Sequence, residues 1–153
     1  MTVWGKAGQR LTDEEVAARR RKYVAARNNA EASRVAAEQE GRRLWRAGRL
    51  IPWRITVALD RNNLYGPEVD IACGTQEPDV DHWEAGIVYP TWEQTRLLAE
   101  LCGVTVPFLC HDGLVPVNPL CSKWGRYDDE PPPVMRFLPE AVDRTLRAEG
   151  VIQ

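Results

Sequence analysis

Gly74-Thr75-Gln76-Glu77-Pro78-Asp79-Val80-Asp81-His82-Trp83-Glu84-Ala85-Gly86 is the stretch from which the architecture unfolds. Glycine tolerates left-handed backbone that a side chain resists, so Gly74 reads as a tight turn and Gly86 as a helix stop. Between them a short helix is expected from about Glu77 to Ala85, with Val80 and Trp83 three residues apart on one side. Upstream, Gly66-Pro67 opens a second short helix that ends at Gly74 and carries Val69 and Ala72. Two helices this short are not stable alone, so a third element must close over both. Pro90-Thr91-Trp92-Glu93-Gln94 supplies its start, because Thr91 and Gln94 have capping-box spacing. Leu97, Leu98 and Leu101 form its buried seam and Gly103 its end. Val69, Ala72, Val80 and Trp83 are placed to meet that seam, as the core of this arrangement or of another small helical bundle.

The same stretch resembles the turn and recognition helix of the Cro/cI-repressor (XRE) family. The family's typical form is a turn glycine, an apolar residue six positions on, and an ending of aromatic or Leu, Glu, any residue, Gly. Gly74, Val80, Trp83, Glu84 and Gly86 hold those places. Tyr89-Pro90-Thr91 followed by Leu97-Leu98-Ala99-Glu100-Leu101-Cys102-Gly103-Val104 is similar to the family's Pro-(Ser/Thr) helix start and its Leu-Ala to Gly-Val ending. The resemblance covers residues 52–110. It implies a helix-turn-helix whose post-turn residues enter the major groove of DNA. By position it sets Gln76, Glu77, Pro78 and His82 toward the bases, with Asp81 beside them.

The chain departs from that pattern in charge. Residues 67–100 hold eight acids (Glu68, Asp70, Glu77, Asp79, Asp81, Glu84, Glu93, Glu100) and only Arg96, where duplex phosphates would approach. Non-specific DNA affinity comes from Lys and Arg on phosphate, so an acidic face works against it. One or two carboxylates are tolerable because they accept hydrogen bonds from cytosine N4. Asp70 also occupies a place where the family usually has a small buried alanine.

Working outward toward the N-terminus, Pro52 fits a first helical turn, and Ile55, Val57, Ala58, Leu59 and Leu64 give the next helix an apolar face. Gly48 to Pro52 reads as a break. Before it, Thr12-Asp13-Glu14-Glu15 is a capping box, and from Glu14 to about Trp45 there is no proline and much alanine, which favours one long helix. Its apolar residues Val16, Tyr23, Val24, Val35, Leu44 and Trp45 are too few for a wide stripe, so much of it is expected to be solvated or partner-bound. The Arg19-Arg20-Arg21-Lys22 cluster, with Arg27 and Arg34, has the form of a phosphate-tracking stripe. It equally suits a solvated helix folded back on the acidic half.

Charge divides accordingly. Residues 1–54 contain 13 Lys/Arg and six acids, a net of +7, and the remainder seven bases and 16 acids, a net of -9, so the total of -2 conceals an asymmetric chain. Such asymmetry points to nucleic acid, a membrane surface or self-association. No run approaches the length of a membrane span, and Met1 to Gln9 lacks the apolar centre of a secretory signal, so a cytoplasmic protein is expected.

Toward the C-terminus the sequence becomes irregular and proline-interrupted through Pro131-Pro132-Pro133. Val115, Val117, Val134, Met135 and Phe137 are candidates for short strands, and Pro139 to Glu149 for a final helix with Val142 and Leu146 inward.

The four cysteines are too sparse for a secreted disulfide framework. Cys102, Cys110, His111 and Cys121 are zinc-capable, yet their spacing lacks the usual close pairs, and Cys102 and Cys73 read better as buried thiols. Nothing resembles a nucleophile with its base or a phosphate loop, with His82 and His111 the only histidines. The tryptophans Trp4, Trp45, Trp53, Trp92 and Trp124 suit core packing or a protein interface.

The expectation is therefore a mainly α protein in three parts. A basic helical arm at 1–51 precedes a helix-turn-helix bundle at 52–110, and an irregular extension at 111–153 carries the short strands and a C-terminal helix. Its expected role is a non-enzymatic, XRE-like transcriptional regulator without cofactor or metal. Base-facing Gln76, Glu77 and His82 would act with phosphate contacts from Arg19, Arg20, Arg21, Lys22 and Arg27 on double-stranded DNA. The alternative is an interaction module, DNA-mimic or antitoxin-like, whose acidic face binds a basic protein or a second copy.

Overall fold

The computed structural model describes residues 10–111, 134 and 136–153. It is mainly helical, and among these residues there is no β-strand. In chain order the helices are α1 (Asp13–Arg46), α2 (Pro52–Arg61), α3 (Pro67–Ala72), α4 (Asp79–Glu84), α5 (Trp92–Cys102), α6 (Val106–Cys110) and α7 (Pro139–Ala148). None of them is long and apolar enough to cross a membrane. Contacts divide the chain into two units, with the boundary between Ala36 and Ala37.

The first unit contains α1 as far as Ala36. The expected capping box closes its start: the Thr12 backbone N–H donates to the Glu15 carboxylate at 2.8 Å, and the Glu15 N–H to the Thr12 hydroxyl at 3.2 Å. These bonds hold the Glu15 carboxyl below its ordinary range. One turn-spaced pair follows, a two-point contact of Arg34 on Glu31 at 2.7 and 3.2 Å. Its side chains are exposed almost throughout, as the thin apolar content requires.

In the second unit the end of α1 joins the core. Trp45 is buried, its indole N–H donates to the Pro90 carbonyl at 2.9 Å, and its ring stacks on Tyr89 at 6.2 Å between centroids. The Tyr89 hydroxyl donates to the Trp45 carbonyl at 2.8 Å. One helical turn before Trp45, Gly41 lets α1 approach α6, since a Cβ there would lie 2.7 Å from Val106 Cβ. Trp92 is half-buried against the same core and Trp53 is half-buried, whereas Trp4 and Trp124 lie outside the described residues.

Helices α2 to α6 then wrap a common interior of Ile55, Ala58, Leu59, Val69, Cys73, Val80, Trp83, Leu98, Ala99, Cys102, Val106 and Leu109. The α6 turn is absent from the sequence expectation, and it seals this interior with Val106 and Leu109. Helix α7 is present as expected, with Ala141 and Leu146 buried and Val142 half-buried. It is tied to the bundle: the Thr145 hydroxyl donates to the Tyr89 carbonyl at 2.6 Å and the Leu138 N–H to the Gly86 carbonyl at 2.9 Å. Of the residues expected as short strands, Val134 and Phe137 are described and are not strands. Their segment is held by single contacts, such as the Trp53 N–H to the Val134 carbonyl at 2.8 Å and the Phe137 ring edge-on to Tyr89 at 5.0 Å. Val115, Val117 and Met135 lie outside the described residues.

Candidate nucleic-acid interface

The α3–turn–α4 segment is built as its residues demand. Gly74 sits at φ 75°, the left-handed conformation that reverses the chain after α3. Val69 from α3, Cys73 at its C-cap, and Val80 and Trp83 from α4 are buried in one core with Leu98, Ala99 and Cys102 of α5. Thr91 and Gln94 close both halves of the capping box that starts α5. Gly86, also at φ 75°, ends the segment where a Cβ would meet the Arg136 carbonyl at 2.9 Å.

Asp70 resolves the apparent misfit noted in the sequence. Helix α4 has Pro78 at its N-cap, and proline offers no side-chain acceptor for the orphan N–H groups of a first turn. The buried Asp70 carboxylate fills that role from α3, accepting the Val80 N–H at 3.0 Å. The turn is drawn to the same point. The Thr75 N–H donates to the Asp70 carbonyl at 2.9 Å, and the Thr75 hydroxyl donates to the Asp79 carboxylate. Asp70 is thus a structural cap, a role that motif position alone does not suggest.

What this frame presents outward is acceptor-rich. Gln76, Glu77, Pro78 and Asp81 are exposed, and Asp79, His82 and Glu84 half-buried. Glu68 on α3 is exposed as well, and no Lys or Arg occurs between Arg61 and Arg96. Arg96 is itself committed to Glu93 at 2.7 Å and Glu100 at 3.5 Å. Burial raises the pKa of Glu84, and the carboxylates of Asp60, Asp81 and Asp70 push it the same way against a hydrogen bond from Thr56. Chemically, the surface can accept hydrogen bonds from exocyclic amino groups or from a cationic partner, and it repels phosphate.

Of the other sequence-derived site residues, Arg19, Arg20, Arg21, Lys22 and Arg27 are all exposed on α1. Among the zinc-capable residues, Cys102 is buried at the end of α5 and Cys110 half-buried in α6, while Cys121 lies outside the described residues. The His111 Nδ1 lies 3.0 Å from the Arg54 guanidinium, which also donates to the His111 carbonyl at 2.6 Å. Among the described residues no three His, Cys, Asp or Glu side chains group as a metal would need. Arg54, buried against the Phe108 ring at 4.8 Å, is a packing residue that sequence reasoning passed over. No family model, no curated protein and no solved structure matches the chain.

Proposed function

We propose that this chain is a non-enzymatic, cytoplasmic DNA-binding transcriptional regulator of the XRE-like class, needing no cofactor. In this reading the α3–turn–α4 frame sets orientation on the duplex, Gln76, Glu77 and His82 read base edges, and Arg19, Arg20, Arg21, Lys22 and Arg27 hold phosphates. The observation that carries it is the left-handed Gly74 turn between two short helices, braced from behind by α2 and α5. The arm supplies what the frame lacks, because cationic contacts to phosphate provide most non-specific affinity.

The test is duplex binding as a function of salt. Binding that weakens steeply with salt and collapses when Arg19 to Lys22 are all replaced by alanine supports the reading, and no binding at about 50 mM salt removes it.

A second reading is favoured by the absence of Lys and Arg between Arg61 and Arg96. In it the acidic face is an interaction surface for a basic protein, as in a DNA mimic or antitoxin-like adaptor. Capture of a basic partner that is lost on Glu77→Lys, Asp79→Lys and Asp81→Lys, with no duplex binding by the native chain, would favour it.

A further inference from the structure

Two surfaces of opposite sign stand open among the described residues. On α1, residues 16–30 carry five cations (Arg19, Arg20, Arg21, Lys22, Arg27) and no acid, with Val16, Tyr23 and Val24 exposed among them. A shallow groove there is lined by Ala17, Arg20, Arg21 and Val24. On α3, the turn after it and α4, Glu68, Glu77 and Asp81 are exposed, and so are the apolar side chains of Ile71 at 72% and, just before α3, Tyr65 at 81%.

We infer that the basic face of α1 in one copy docks on the acidic α3–α4 face of a second copy, in a reversible ionic self-association. Each surface offers what the other lacks: guanidinium groups against carboxylates at the rim, and exposed apolar side chains on both sides for the centre. The second copy is the occupant because one chain encodes both surfaces, and its halves of +7 and -9 nearly cancel. The contact joins two different patches, so it is heterologous and its mass grows with concentration. It also rests on the proposed function in one respect. The same arginines would hold DNA phosphates, so a duplex and a second copy compete, and self-association withholds the arm from non-specific DNA.

The experiment is sedimentation of the full chain across concentration at about 50 mM and about 500 mM salt, where screening differs severalfold in range. The expected result is mass rising with concentration at low salt and a monomer at high salt. Arg20→Glu, Arg21→Glu and Lys22→Glu together, or Glu68→Lys, Glu77→Lys and Asp81→Lys together, give chains that stay monomeric alone. An equimolar mixture of the two variants associates again, since the reversed arm of one meets the reversed face of the other. All six positions are exposed, and circular dichroism confirms that the helices persist. Native protein that is monomeric at every concentration, association indifferent to salt, or a mixture that does not recover overturns the inference. A short duplex that binds a strictly monomeric chain supports the DNA reading and removes self-association. Salt-sensitive association, with no duplex binding even at protein concentrations where the chain is monomeric, supports self-association and removes the DNA reading.

Discussion

The Asp70 carboxylate accepts the Val80 backbone N–H at 3.0 Å, reaching ten residues along the chain to cap a helix that cannot cap itself. A buried acid is costly unless it is hydrogen-bonded, and here the bond joins the two helices on which the proposed recognition surface depends. Local preference and tertiary packing meet in this one contact, because the proline at the start of α4 creates the need that Asp70 fills.

Asp70→Ala should therefore destabilise the fold by about 1–3 kcal/mol, the range for leaving a buried donor without its acceptor. Asp70→Asn retains a carbonyl oxygen toward Val80 and should lose less. Urea unfolding of the three proteins checks this, and an alanine variant within about 0.5 kcal/mol of the native chain would dismiss the cap, since ordinary surface changes fall in that range.

Gly41 is the second position where a small change has a large expected effect. Glycine to alanine in a helix interior normally stabilises by up to about 1 kcal/mol. At Gly41 the new methyl would meet Val106 Cβ at 2.7 Å and Pro107 Cδ at 3.2 Å, with the Val106 atom close to its backbone. Gly41→Ala should lower stability by about 1–3 kcal/mol, the usual cost of overpacking. A smaller loss from Gly41→Ala in a Val106→Gly background than in the native chain would assign the loss to this contact, since only glycine removes the Val106 Cβ, and a rise in Tm for the single variant would show that α1 and α6 do not meet so closely.

Much of this architecture was legible because local signals agreed. Helices α2, α3, α5 and α7 each begin at or beside a proline or a capping box, and α5 ends at the left-handed Gly103. Helix α6 was not, since Val106-Pro107-Phe108-Leu109-Cys110 has five residues with a proline inside and no helical period to read. That the last turns of α1 belong with the second unit was not legible either. The reason is Gly41 and Trp45, whose burial in a polar helix depends on partners at Val106 and Pro90 far along the chain. At the candidate site, the turn and the burial of Val69, Val80 and Trp83 followed from spacing, whereas Ala72, expected beside them, is exposed next to the buried Cys73, and the role of Asp70 required knowing where Val80 lies in space.

Burial also governs the thiols. Cys73 and Cys110 are pushed up to about 12 and Cys102 to about 11, desolvation being the largest cause in each. Only the thiolate is a good nucleophile, and at pH 8 a thiol of pKa 11 is ionised in about one molecule in a thousand. In a Cys121→Ser background, native protein should give almost no prompt reaction with a disulfide reagent at pH 8, and the full three equivalents after denaturation. Prompt labelling of any of the three would mean that the α3, α5 or α6 end opens readily.

Glu84 should make stability depend on pH in a direction opposite to that of a salt-bridged acid. Its folded pKa is raised above the ordinary 4.5, first by burial and then by Asp60, Asp81 and Asp70, while Thr56 acts the other way. A raised carboxyl binds its proton more tightly in the folded state. The stability it contributes is complete below the unfolded pKa and is lost as pH rises through the folded value. Glu84→Gln keeps a polar side chain able to accept from Thr56 and removes the ionisation. Its Tm should exceed that of the native chain at pH 7, with the gap closing as pH falls below 4.5. The lowered carboxyls Glu15, Glu31, Glu40 and Glu93 pull the native curve the other way but are common to both proteins, so the difference isolates Glu84. A gap that does not change with pH would trace the effect to packing, and a less stable variant at pH 7 would mean that the ionised carboxylate is favoured where it stands.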